Sequence, residues 1–230
     1  MDEVSRRAIN TWNESLLHEE LKDIYCGETG RKEVLVQGSI CDVVLQDNTI
    51  VEIQTANLGQ LKGKLEKLLS AYKVILVYPV AVTTRIETWT PDRTLKSSRK
   101  SPKKGTVFQV FRELTGIHGL IGHPHLTLSV VLIDILDIRI ADGTGSWRRK
   151  GVRREDRKLL NIHETLTYAT QKDFLSTIPA SVPPVFTVRD LQAGGAGIHA
   201  GRMAWVLRKI GMIELVGKKG NAFLYRQIGN

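Results

Sequence analysis

The sequence predicts an α/β protein in which helices pack on a mixed β-sheet, followed by a small C-terminal unit built to a different plan. Three observations carry this expectation. Between Glu3 and Val82 the hydrophobic patterns read helix, strand, strand, strand, helix, strand. The last of these, Lys73 to Val82, is a near-continuous apolar run, Val-Ile-Leu-Val-Tyr-Pro-Val-Ala-Val, of the kind expected of a strand covered on both faces. Pro179-Ala-Ser-Val-Pro-Pro184 can neither extend a helix nor fill a sheet interior, which places a boundary between residues 1–180 and residues 185–230.

Taken in order, the apolar residues Ala8, Trp12, Leu16, Leu17, Leu21 and Ile24 recur at helical spacing, and Cys26-Gly27 closes that element. Glu14 lies at the edge of its apolar face, where a carboxylate can reach a site beside the core. A solvated helix glutamate is the plainer alternative. Lys32 to Gln37 reads as a short strand. Leu58, Leu61, Leu65, Leu68 and Leu69 define a helix of about three turns with Gln60, Lys62, Lys64 and Lys67 on its flanks. Arg85 to Trp89 suits a further strand. Lys96-Ser-Ser-Arg-Lys-Ser-Pro-Lys-Lys-Gly105 then reads as a basic loop that offers Arg99, Lys100, Lys103 and Lys104 to phosphates. Thr106 is placed to cap a helix over Val107 to Leu114. Leu126 to Ile140 reads as a long bent strand, whose Asp134 and Asp137 are three apart and cannot share one face as a metal pair. Trp147-Arg-Arg-Lys-Gly-Val-Arg-Arg154 mixes an aromatic with cations, including Arg148 and Arg149, as phosphate contact and base stacking require. Helices are expected from Arg154 to about Ile162 and near Lys172 to Ile178.

In the C-terminal unit, Thr187 with Asp190 three positions on has the form of a helix N-cap, and Gly194-Gly195 ends that helix. Ile198 to Met212 forms a second helix with Met203, Val206, Leu207 and Ile210 inward and His199, Arg202, Trp205, Arg208 and Lys209 around the rest of its surface. Ile213 to Val216 and Ala222 to Arg226 flank the basic tip Gly217-Lys-Lys-Gly220.

Composition narrows the function classes. With 33 Lys+Arg against 24 Asp+Glu, the formal charge of +9 points to a polyanion such as nucleic acid, with an anionic membrane surface as the alternative. Cys26 and Cys41 lack metal-ligand spacing, so a structural zinc is not expected, and a reducing cytoplasm fits them. The N-terminal sequence lacks the apolar core of a signal peptide, and no apolar run approaches the ~20 residues that span a bilayer.

The chemistry concentrates in Cys41-Asp42-Val43-Val44-Leu45-Gln46-Asp47-Asn48-Thr49-Ile50-Val51-Glu52-Ile53-Gln54, two β-branched strands joined by a Gln-Asp-Asn turn. A three-residue turn pairs Leu45 with Thr49 and sets Asp42 opposite Glu52, with Gln54 on the face of Glu52 and Val43, Leu45, Val51 and Ile53 on the other. Opposed carboxylates repel and call for a cation, most simply a divalent metal.

Asp42, nine residues, Glu52, one residue, Gln54, on a hairpin between a helix bearing Glu14 and a helix bearing lysines, resembles the PD-(D/E)xK nuclease superfamily in a Glu-x-Gln form. The resemblance covers about residues 1–90. It implies a restriction-endonuclease-like mixed sheet and Mg²⁺-dependent phosphodiester hydrolysis, with Mn²⁺ as a substitute. It further implies that Glu14, Asp42, Glu52 and the Ile53 carbonyl would bind metal, and that Gln54 would stand where a lysine is usual. Lys64, ahead of Lys62, is the candidate to replace that lysine. Residues 185–230 resemble a winged helix-turn-helix domain, which implies DNA contacts at Arg202, Lys218 and Lys219. The expected function is thus a metal-dependent DNA endonuclease on duplex substrate. The alternatives are a non-catalytic DNA-binding protein on the same scaffold and a protein-docking winged helix. RNA stays open as substrate, and a homodimer would supply the two sites that a double-strand break ordinarily needs.

Overall fold

The computed structural model describes residues 15–228. Helix α1 spans Leu16–Cys26. Ser15 caps it by accepting the His18 N–H at 3.4 Å, and Gly27 ends it at φ 55°. The part of the expected first helix before residue 15 lies outside the described residues. Strands β1 (Arg31–Val36), β2 (Ser39–Val44) and β3 (Ile50–Ile53) follow, then a tight turn at Leu58–Leu61 leading into α2 (Lys62–Leu68) and strand β4 (Val74–Trp89). This is the order expected from the sequence.

β1, β2 and β3 are antiparallel, β3, β4 and β6 (Leu126–Ala141) are parallel, and β7 (Val152–Tyr168) returns antiparallel to β6. The sheet order is β1-β2-β3-β4-β6-β7, with β5 (Leu95–Lys100) paired to the far part of β4. The apolar run of β4 is buried on both sides, as a central parallel strand must be. On one face Leu17 and Leu21 of α1 pack with Val43, Val51, Ile53, Val77, Val131, Ile133 and Ile135. The other face carries α2, α3 (Val110–Leu114) and a larger cluster that continues into the C-terminal elements through Phe186, Leu191, Met203, Val206 and Leu207.

Several expectations need correction. Arg85 to Trp89 is not a separate strand but the end of the 16-residue β4. The first half of the expected basic loop is β5, turned back on β4 where Arg93 takes a left-handed φ of 64° and Thr90 and Thr94 bond across the turn. All six residues of β5 are exposed, so no apolar alternation marks it in the sequence. Arg154 to Ile162 is not a helix but part of β7. Its charged residues favour a helix locally, and pairing with β6 along the whole strand overrides that preference. Thr106 stands before the turn Val107–Gln109 but makes no side-chain cap bond.

These strands create an arm. β3 ends at Ile53, level with Val77, whereas β4 continues to Trp89 alongside β6. At about 3.3 Å per residue the overhang is roughly 40 Å. β5 and β7 flank it, and register shifts interrupt the pairing of β6 with β7 along it.

In the C-terminal unit, Thr187 and Asp190 form a reciprocal capping box on α4 (Val188–Leu191), and α5 spans Ala200–Lys209. β9 (Ile213–Lys219) and β10 (Ala222–Gln227) form the expected hairpin, joined by a short strand that the sequence pattern did not mark, β8 (Val185–Phe186), on β10. Among the described residues no helix is long and apolar enough to cross a membrane.

Candidate functional site

The β2–β3 hairpin sets the geometry. Val43 pairs with Val51 and Val44 with Ile50, and the Leu45 N–H bonds the Thr49 carbonyl at 2.9 Å. Asp47 fixes the turn by accepting the Thr49 N–H at 3.0 Å and its hydroxyl at 2.9 Å. In this register Asp42 comes next, opposite Glu52. The backbone ladder stops short of that pair. Instead the Ile53 N–H donates to Asp42 Oδ2 at 2.7 Å, so a side chain replaces a main-chain partner and the β2–β3 ladder ends in a notch in the pairing.

Glu52 is buried, with 2% of its surface exposed, and faces α2. Lys64, on the first turn of α2, donates to Glu52 Oε2 at 2.6 Å and to the Ile40 carbonyl at 2.6 Å. Glu52 Oε1 is buried without a hydrogen-bond partner. Burial and the nearby charge of Asp42 hold the Glu52 carboxyl above the usual range, against the opposing pull of Lys64. Burial would raise Asp42 too, but the bonds from His18 and the Ile53 N–H outweigh it and Asp42 is lowered. Beside them burial, reinforced by Glu52, pushes the Cys41 thiol up to about 12, so Cys41 stays protonated.

His18 Nε2 lies 3.2 Å from Asp42 Oδ2 and is a site residue that the sequence reading missed. Its signal was its position on α1 next to the buried Leu17, one turn along from Glu14. Glu14 lies outside the described residues. Gln54 donates its side-chain amide to the Ala56 carbonyl at 2.5 Å, which commits it locally. Lys62 pairs on the surface with Glu66 at 3.8 Å, which leaves Lys64 as the α2 lysine that reaches the carboxylates.

The basic residues fall at graded distances from the notch. Beyond β5 the chain runs on along β4, with the Ser101 N–H on Thr84 and the Gly105 N–H on Ala81. A Cβ at Gly105 would meet the Ala81 oxygen at 2.4 Å, so only glycine lets the chain lie this close. Lys103 and Lys104 are thereby anchored four β4 residues beyond Val77, roughly 13 Å along the strand. Arg99 and Lys100 pair with Ile86 and Arg85 farther out. Arg148 and Arg149 sit at the arm's tip beside Trp147, which is 83% exposed, with the Arg148 guanidinium 5.7 Å from its ring centroid. Arg202 lies on α5, and Lys218 and Lys219 lie in the β9–β10 tip, where Lys218 Nζ is 5.1 Å from the Phe223 ring centroid.

Residues 15–169, from the cap of α1 past the end of β7, match the family described as "Domain of unknown function (DUF8091)", and the chain belongs to that family. The notch and the arm fall within this span, and the C-terminal unit lies beyond it. The chain is also 39% identical over 219 residues, 95% of its own length and 87% of the relative's, to an "Uncharacterized protein" of Treponema pallidum (strain Nichols). No solved structure matches it.

Proposed function

We propose that the protein is a Mg²⁺-dependent endonuclease acting on duplex DNA, a restriction-endonuclease-like domain joined to a winged helix. The observation that carries this reading is the notch itself. Two carboxylates lie near enough to act on each other where the β2–β3 ladder ends, a lysine holds one of them, and Glu52 Oε1 is buried without a hydrogen bond, with only the Cys41 thiol beside the carboxylate. Such an orphaned anionic oxygen is costly unless a cation meets it. The donors suit Mg²⁺ or Mn²⁺. Glu52 Oε1, Asp42 Oδ1, which lies outside the bonds made by Oδ2, and the Ile53 carbonyl are all hard oxygens. Among the described residues no three His, Cys, Asp or Glu are grouped to hold a metal ion, and Mg²⁺ would need few protein ligands because it keeps several waters.

Bound there, the metal would polarise a phosphoryl oxygen and lower the pKa of a water. The chain's own residues do the rest. The Ile53 N–H and His18 keep Asp42 oriented and ionised. Lys64 holds Glu52 and supplies the positive charge that the Gln54 position lacks. Lys103 and Lys104 lie close enough to bind flanking phosphates. The order β8, α4, α5, β9, β10, with β8 on β10, supports a winged helix in which α5 and the β9–β10 tip meet DNA.

One observation favours a second reading, a DNA-binding protein without catalysis. The Gln54 amide is turned onto Ala56, and each carboxylate already has a nitrogen neighbour, His18 or Lys64. Supercoiled plasmid with Mg²⁺ or Mn²⁺ separates the two. The nuclease reading expects nicking by the wild type that is lost in Asp42→Ala and Glu52→Ala. Equal nicking by all three proteins overturns it, and salt-sensitive binding without metal-dependent cleavage establishes the second reading.

A further inference from the structure

The α1 side of the arm carries a charge arrangement that the notch does not use. Asp137 on β6 is 3% exposed and binds two arginines. Arg139 donates to Oδ2 through Nη2 at 2.6 Å and Nε at 3.2 Å. Arg154 donates through Nε to Oδ1 at 2.9 Å and through Nη2 to Oδ2 at 3.4 Å. Both carboxylate oxygens are thus taken. Burial opposes ionisation of Asp137, but the two guanidiniums outweigh it and its carboxyl is lowered.

A third guanidinium faces this group without a bond. Arg157 is the cross-strand partner of Asp137 and is half-buried. Among the described residues no hydrogen bond or ion pair reaches its side chain. The adjacent acid, Asp156, spends its Oδ1 on the Leu16 and Arg157 backbone N–H groups at 3.0 and 2.7 Å. Burial first, and then the charge of Arg154, lowers the pKa of Arg157 against the opposing pull of Asp137 and Asp156. Three guanidiniums against the saturated Asp137 carboxylate and the neighbouring Asp156 leave positive charge in excess at this part of the arm, and partly buried cations are ordinarily paired.

We propose that Arg139, Arg154 and Arg157 form an anion site and that its occupant is a backbone phosphate of bound nucleic acid. The second clause rests on the nucleic-acid reading above. A phosphate diester presents the oxygen acceptors that guanidinium donors match. Position agrees as well. Asp137 lies eight residues beyond Ser129, which is level with Val77 and Ile53, so the site is roughly 26 Å along the arm from the notch. That spacing along the strand is less than the ~34 Å turn of a duplex, and the arginine site lies on the α1 face, the side on which His18 of α1 holds Asp42, whereas Glu52 faces α2. The arm then tracks the substrate rather than merely ending the sheet.

The test uses the full chain and Arg157→Leu, with two probes. In the first, inorganic phosphate replaces chloride at constant ionic strength during thermal unfolding. The expected result is that Arg157→Leu unfolds at or above the wild-type temperature in chloride, since it deletes an unpaired cation, and that phosphate raises the unfolding temperature of the wild type alone. In the second, a 30-base-pair duplex is bound in EDTA across a salt series. The variant's affinity is expected to fall roughly tenfold, with the slope of log K against log salt shallower by about one. Equal phosphate stabilisation of both proteins, or a variant that unfolds well below the wild type in chloride, overturns the anion site. A phosphate effect confined to the wild type, with duplex affinity and salt slope unchanged, keeps the site but overturns the backbone-phosphate assignment. Failure of the nucleic-acid reading shows separately, as a wild type that binds no duplex, and the anion site is then decided by the phosphate titration.

Discussion

Replacing Lys64 by Met tests how the notch is held together. The ammonium makes two bonds of 2.6 Å, to Glu52 Oε2 and the Ile40 carbonyl, and its side chain is 19% exposed against 3% for Glu52. Without it the buried Glu52 carboxylate keeps only the Cys41 thiol beside it and faces the charge of Asp42. Removing one member of a buried ion pair costs about 3–5 kcal/mol, and the partial exposure of Lys64 puts the expected loss at the low end, about 3 kcal/mol at pH 7.5. The loss depends on pH with a definite sign. Glu52 is already raised above the usual carboxyl range by burial and Asp42, and losing Lys64 raises it further. Between the unfolded and folded pKa values the native state then holds a proton that the unfolded chain has released, so stability falls as pH rises through that window. The penalty should therefore be smaller at pH 5 than at pH 7.5. Urea unfolding at pH 5 and 7.5 reads both values, and adding Glu52→Gln to Lys64→Met should recover most of the loss at pH 7.5. A loss below about 1 kcal/mol at pH 7.5, or the same loss at both pH values, would refute the claim that Lys64 neutralises a buried carboxylate.

Three further outcomes are expected. Glu52→Gln alone removes a charge that burial and Asp42 disfavour, while Lys64 keeps the Ile40 carbonyl, so its unfolding free energy at pH 7.5 should match or exceed that of the wild type; a fall of more than about 2 kcal/mol would contradict this. Gly105→Ala places a Cβ 2.4 Å from the Ala81 oxygen, and calorimetry should show a loss of about 2 kcal/mol together with weaker duplex binding as Lys103 and Lys104 shift; unchanged stability would mean that the chain yields freely there. Asp42 and Asp137 are both lowered, so the stability they confer is present above the ordinary aspartate range and lost as pH falls through their folded values; below about pH 4, Asp42→Asn should lose less stability per pH unit than the wild type.

The register that brings Asp42 toward Glu52, Val43 on Val51 and Val44 on Ile50, was legible because strand parity is rigid. Once a three-residue turn and the alternation of Val43, Leu45, Val51 and Ile53 are read, that register follows by counting. What counting could not supply was the end of the ladder, where Asp42 takes the Ile53 N–H and opens the notch. Lys64 was one of two candidates on α2 until its ammonium was placed on Glu52, and His18 escaped notice because the search of the first helix was confined to acids. The arm was the least legible part. Arg153 to Lys158 is a charged run with no alternation, a helix by local preference and a strand only because β6 lies beside it. The arginine cluster on Asp137 depends on that strand, since cross-strand neighbours are invisible while one strand is read as a helix.

The central claim is that Asp42 and Glu52 together hold a divalent cation at the parting of β2 and β3. Electron paramagnetic resonance of free Mn²⁺ titrated with the wild type and with Glu52→Gln tests it most directly, because it reads metal without requiring cleavage and compares two proteins expected to be equally folded. The account predicts that the wild type depletes free Mn²⁺ with a site that competes with Mg²⁺, and that Glu52→Gln weakens this site at least tenfold while duplex binding in EDTA is unchanged. Indistinguishable Mn²⁺ titrations for the two proteins would contradict it.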